Sequence, residues 1–139
     1  MPDLDKRKAL SEYRFNDAVA TMQTAKLCID NNHYKDAINQ CYYGAFYAIK
    51  SVLAIKGIDF KRHKDVVAYF NHHYVKGGKF SRELGKKIAK LKKKRENSDY
   101  DDFYLASYEE AIEQYEALKM VINEDQLFLE NEKVTNNNE

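Results

Sequence analysis

The chain has 139 residues, enough for one hydrophobic core and too few for two ordinary domains. Its 44% hydrophobic and 32% charged residues fit a water-soluble globular protein, and no run has the length or apolarity of a membrane span or signal-peptide core. The net charge of +1 hides a division: residues 76–95 hold ten Lys/Arg and one acid, whereas residues 96–139 hold thirteen acids and two lysines.

Cys28 and Cys41 are too few for a disulfide scaffold and read as small apolar fillers in a reduced, cytoplasmic compartment. Pro2 is the single proline and there are five glycines, little punctuation for a β-rich chain but enough for long helices.

In chain order, a first helix is predicted from about Ser11 to Asp30, where Phe15, Ala18, Val19, Met22, Ala25, Cys28 and Ile29 recur at spacings of three and four. Asp30-Asn31-Asn32 breaks it. A second helix, His33 to Lys56, is apolar around most of its circumference and belongs at the centre of the fold. Gly44 inside it costs about 1 kcal/mol of helix propensity, which suggests close approach by another backbone. Gly57 suits a left-handed cap. A third helix runs from His63 to Val75 until Lys76-Gly77-Gly78, and a fourth from Ser81, a candidate N-cap, to about Lys94.

The fifth helix is predicted from Asp101 to Leu129, with Tyr104, Tyr108, Ala111, Tyr115, Leu118 and Ile122 as its stripe and Asp99, Asp101 and Asp102 at its positive end. Tyr42, Ile49, Tyr108 and Tyr115 should be more buried than Lys86, Lys90 and Lys94. The fold class is therefore all-α, an antiparallel up-and-down bundle of four to five helices. It comprises an N-terminal extension at 1–10, a helical domain at 11–129 and a flexible polar tail at 130–139.

Few residue patterns carry chemistry. The four histidines, His33, His63, His72 and His73, lack metal-ligand spacing, and no metal or cofactor is expected. Lys76-Gly77-Gly78-Lys79 lacks the ordered glycines and hydroxyl of a phosphate loop and reads as a turn. The sharpest feature is the basic run: Lys86, Lys90 and Lys94 share a helical face, with Arg95 beside them. These four are candidate phosphate- or nucleotide-binding residues, although a solvated helical face is the more ordinary reading of the lysines.

Three segments in order carry a family resemblance. Ala37-Ile38-Asn39-Gln40-Cys41-Tyr42-Tyr43-Gly44-Ala45-Phe46-Tyr47-Ala48-Ile49-Lys50, then His63-Lys64-Asp65-Val66-Val67-Ala68-Tyr69-Phe70, then Arg95-Glu96-Asn97-Ser98-Asp99-Tyr100 resemble small stand-alone HEPN-domain proteins related to toxin–antitoxin components. The resemblance implies a helical bundle, homodimerisation, a nucleotidyltransferase-family partner and contact with RNA or nucleotide, without membrane association. Ribonuclease members use arginine followed five to seven residues later by histidine, and no arginine here has one. Arg95 and Tyr100 are the remaining catalytic candidates, but a tyrosine pKa of about 10 suits neutral-pH proton transfer poorly. The expectation is a dimeric interaction module without independent enzymatic activity. The alternatives are a metal-independent ribonuclease using Arg95 with an unconventional second group, or a purely structural dimerisation domain.

Overall fold

The computed structural model describes residues 3–137, with side chains through residue 132. Five α-helices follow in order: α1 (Leu4–Asp30), α2 (Tyr34–Ile55), α3 (His63–Phe70), α4 (Arg82–Tyr100) and α5 (Tyr108–Asn137), and no strand occurs among the described residues. The all-α class is as the periodicity indicates.

Helix α1 starts earlier than expected because Asp3 caps it, its carboxylate accepting from the Lys6 amide at 2.9 Å. Residues 4–10, read as an extension, are thus part of the first helix. Helix α2 is buried along nearly its whole length and packs against α1, α3, α4 and α5, so it is the core helix its composition requires. It ends in a Schellman motif: Gly57, at φ 69°, donates to Ala54 O, and Ile58 donates to Leu53 O. At Gly44 the close neighbour is a side chain, not the expected backbone. A Cβ there would lie 2.9 Å from Leu118 Cδ2 on α5.

The third helix reaches Val75 as expected, but its final turn, Asn71–Val75, is widened to π geometry, with Lys76 N donating to Asn71 O. Ser81 does cap α4, accepting from Leu84 N at 3.1 Å. The reciprocal carboxylate of a capping box is supplied by another helix. Glu124 of α5 accepts from Ser81 N at 3.2 Å and from Ser81 Oγ at 2.9 Å.

The boundary between α4 and α5 departs from the sequence reading. Helix α4 continues past Lys94 to Tyr100, and α5 begins at Tyr108 instead of Asp101. Asp99, Asp101 and Asp102 therefore lie at the end of α4 and in the connection; the acids in the first turn of α5 are Glu109 and Glu110. Ser107 opens that helix, its Oγ accepting from Glu110 N at 3.1 Å. Tyr104, assigned to the helical stripe, sits in the connection and donates to Glu110. Tyr108 is 50% exposed because it starts α5, whereas Tyr42 and Ile49 are buried and Tyr115 is half-buried; Lys86 and Lys90 are exposed and Lys94 is half-buried. Helix α5 runs past Leu129 to Asn137, and the tail expected at 130–139 extends beyond the described residues.

Candidate functional site

Arg95 is the charged group with the most organised surroundings. It lies on α4, and its guanidinium carbon sits 5.3 Å from the Tyr42 ring centroid and 5.4 Å from that of Tyr43, both on α2. Its Nη2 donates to the Tyr43 hydroxyl at 3.0 Å, and its Nε lies 3.0 Å from Asp99 Oδ2, one turn further along α4. The side chain keeps only 22% of its accessible surface. An arginine held by an aromatic pair, a phenol and a carboxylate loses much of its rotamer freedom in the fold, so a bound anion has less left to order.

Tyr42 is buried, and burial raises its phenol pKa despite the opposing effect of Arg95. Continuing along α2, Phe46 stacks on Tyr42 with centroids 6.3 Å apart, and His63, the first residue of α3, stacks on Phe46 at 4.0 Å. His63 is held below the ordinary imidazole pKa, first by burial and then by the positive charges of Arg95 and Lys50. The site thus joins α2, α3 and α4.

The sequence-derived phosphate candidates do not all share this place. Lys86 is exposed. Lys90 pairs with Glu113 on α5, and that bond is the chief cause of the lowered Glu113 pKa, with Lys94 and Lys87 adding to it. The basic face of α4 is therefore turned in part onto the acidic helix of its own chain. Arg95 points away from this face toward α2. Tyr100 is 79% exposed at the end of α4, five residues and about 140° of helical rotation beyond Arg95, and no hydrogen bond or ring contact among the described residues joins the two.

In the sequence Tyr42 reads as core, Tyr43 is one of an aromatic run on the central helix, and His63 carries no metal-ligand spacing. No local spacing relates these residues, 32 to 53 positions away, to Arg95; only the packing of α3 and α4 on α2 does. Burial pushes the Cys41 thiol up to about 12 and also raises Cys28, which disfavours the thiolate at both. Among the described residues no three His, Cys, Asp or Glu side chains cluster as metal ligands, and no helix is long and apolar enough to cross a membrane.

The helical bundle and its Arg95 segment define a class that sequence comparison identifies. The HEPN domain family matches residues 11–127, and the chain belongs to that family. A UPF0332 protein of Thermotoga maritima is 34% identical over 107 residues, covering 77% of this chain and 80% of that protein. Two proteins of Methanocaldococcus jannaschii that bear the name "Putative toxin" are 30% and 28% identical. The matches cover 60% and 68% of this chain, and 62% and 64% of the relatives, so less than two thirds of either is spanned.

Proposed function

We propose that this protein is a homodimeric HEPN interaction module of a toxin–antitoxin type pair. Its partner is a nucleotidyltransferase-family protein, and RNA or nucleotide phosphates contact α4 at two adjoining places, the face of Lys86, Lys90 and Lys94 and the Arg95 guanidinium turned toward α2. The observation that carries the phosphate contact is the clamped guanidinium of Arg95, which offers a planar, permanently charged fork at the edge of a basic helix. The likeness to the two archaeal relatives supports the toxin–antitoxin setting. Self-association is supported by the apolar side chains exposed around the α4–α5 connection, where Phe103 and Leu105 are 92% and 88% accessible beside Tyr100.

The first test is copurification with the product of a paired nucleotidyltransferase gene, with sedimentation at micromolar concentration resolving the two-chain species. A chain that stays monomeric and retains no such partner would refute the module reading. Salt-dependent RNA titration tests the contact itself. Replacing Lys86, Lys90 and Lys94 by glutamate should weaken binding and flatten the dependence on salt, because fewer counterions are released. Arg95→Lys should weaken binding although charge is kept, because the fork is lost. Equal affinities and slopes across these variants would remove the phosphate contact. RNA incubated with the chain in EDTA is expected to stay intact; cleavage would transfer the assignment to the ribonuclease alternative.

A further inference from the structure

A second basic edge borders the ridge formed by Tyr43 and Phe46 on α2. His63 stacks on Phe46, rings 26° from parallel, and turns its edge to Tyr43 with centroids 6.2 Å apart. Tyr43 also holds Arg95, whose Nη2 donates to its hydroxyl at 3.0 Å. Lys50 Nζ is 5.7 Å from the Phe46 centroid. Lys61, Arg62 and Lys64 surround His63 in sequence, and all are exposed, as is His63 itself.

We infer that this ridge carries a phosphate-binding site formed by Arg95, His63 and Lys50, and that His63 takes up a proton when the phosphate of a ribonucleotide, free or within an RNA strand, binds there. The inference rests on the phosphate-contacting reading above and adds a residue and a proton to it.

The charges around His63 explain the coupling. Arg95 approaches from α4 with Asp99 as its carboxylate, and Lys50 from α2 with Asp59 at 3.6 Å. On α3 itself, Asp65 is held by Arg62 at 2.9 Å. His63 has no carboxylate partner of its own among the described residues, so its protonated form faces two cations from neighbouring helices. Desolvation of the ring face stacked on Phe46 is the first cause of its lowered proton affinity, and that repulsion is the second. A phosphate between the three groups reverses the balance: it attracts the imidazolium, and the imidazolium adds a charged N–H donor beside the arginine fork. Linkage then requires affinity to rise as pH falls between the bound and free pKa values of His63, by up to about tenfold per pH unit for one proton.

Two probes separate the sources of phosphate. One is a short oligoribonucleotide with free hydroxyl ends, whose phosphodiesters do not titrate near neutrality; the other is adenosine 5′-monophosphate, its slope read against the His63→Gln variant because its own phosphate titrates near pH 6. Each is titrated into the full chain between pH 5.5 and 8 at fixed ionic strength, while NMR follows the His63 imidazole. The parent should bind at least one probe more tightly at low pH, and saturation should raise the imidazole pKa. His63→Gln should abolish the slope for the oligonucleotide, and Lys50→Gln, which leaves the imidazole stack intact, should lower affinity several-fold; circular dichroism verifies folding of each. Binding of the oligonucleotide alone assigns the site to RNA, and of the mononucleotide alone to free nucleotide. A slope that survives His63→Gln, or an imidazole titration unmoved by saturating probe, overturns the site. Should binding then depend on Lys86, Lys90 and Lys94, the phosphate contact of the proposed function stands without it. Failure of the parent to bind either probe at any pH overturns both.

Discussion

Asp125 is 2% exposed on α5, with Ser51 of α2 as its polar neighbour. The Ser51 hydroxyl lies 2.8 Å from Asp125 Oδ2 and 2.6 Å from Ala48 O, yet it has one hydrogen for two acceptors. A protonated Asp125 resolves this: the acid donates to Ser51, and Ser51 donates to Ala48. Burial agrees, raising the Asp125 pKa well above its ordinary value. Because the folded pKa exceeds the unfolded one, this residue's contribution to stability is complete below about pH 4 and falls as pH rises through the folded pKa. Asp125→Asn, which keeps a donor and cannot ionise, should remove that part of the pH dependence and stabilise the protein at pH 8 by on the order of 1–3 kcal/mol. Thermal melts of both forms from pH 4 to 8 check this; parallel curves would show that Asp125 is not the group responsible. Arg95 teaches a related lesson at the same scale. Its charge and its place beside Lys94 are plain in the sequence, whereas the Tyr43 hydroxyl that holds it comes from a helix whose aromatic run looks like undifferentiated core.

At the scale of the element, helix existence follows from periodicity and helix ends follow from caps. The apolar spacing of α1, α2 and α5 makes them legible, and Gly57 and Ser81 announce their turns through known local chemistry. The α4–α5 boundary is not legible because no apolar period follows Leu91 and because Asp99, Asp101 and Asp102 imitate a helix start. The pair Ser107 and Glu110, three residues apart, marked the true start. Ser107→Ala should therefore cost about 1 kcal/mol in urea unfolding, the usual worth of an N-cap. No measurable loss would mean that packing alone sets the start of α5. Gly44 reports the opposite relation, packing imposed on an element. Gly44→Val would drive a branched side chain into Leu118, which is itself fully buried, and should destabilise by about 2 kcal/mol or more. A neutral result would show that α5 can withdraw.

For the whole molecule, the separation of positive and negative segments along the chain becomes a pairing of helices in space, with Lys90 of α4 meeting Glu113 of α5. Both side chains are about half exposed, so the pair adds little stability. Leu84, Ile88 and Leu91, all buried, hold α4 in place instead. The form carrying glutamate at positions 86, 90 and 94 should accordingly fold, losing about 1 kcal/mol or less. Circular dichroism and a urea midpoint verify this, and a larger loss would make α4 an electrostatically held helix.

The connection between α4 and α5 has a consequence for how the chain can be opened. Residues 101–107 place Phe103 and Leu105 in solvent just after Tyr100, outside any helical hydrogen-bond ladder, whereas exposed Tyr13 and Leu27 lie inside α1. Chymotrypsin needs an aromatic or leucine side chain on a stretch of backbone that can extend into its cleft, and this connection meets both needs. Limited digestion of the dilute, dissociated chain should cut first between Tyr100 and Leu105, and self-association through this stretch should slow that cut. The two fragments should then travel together on gel filtration and part only in denaturant, because α5 stays packed on α2. First cuts at Tyr13 or Leu27 would show instead that α1 frays before the connection yields.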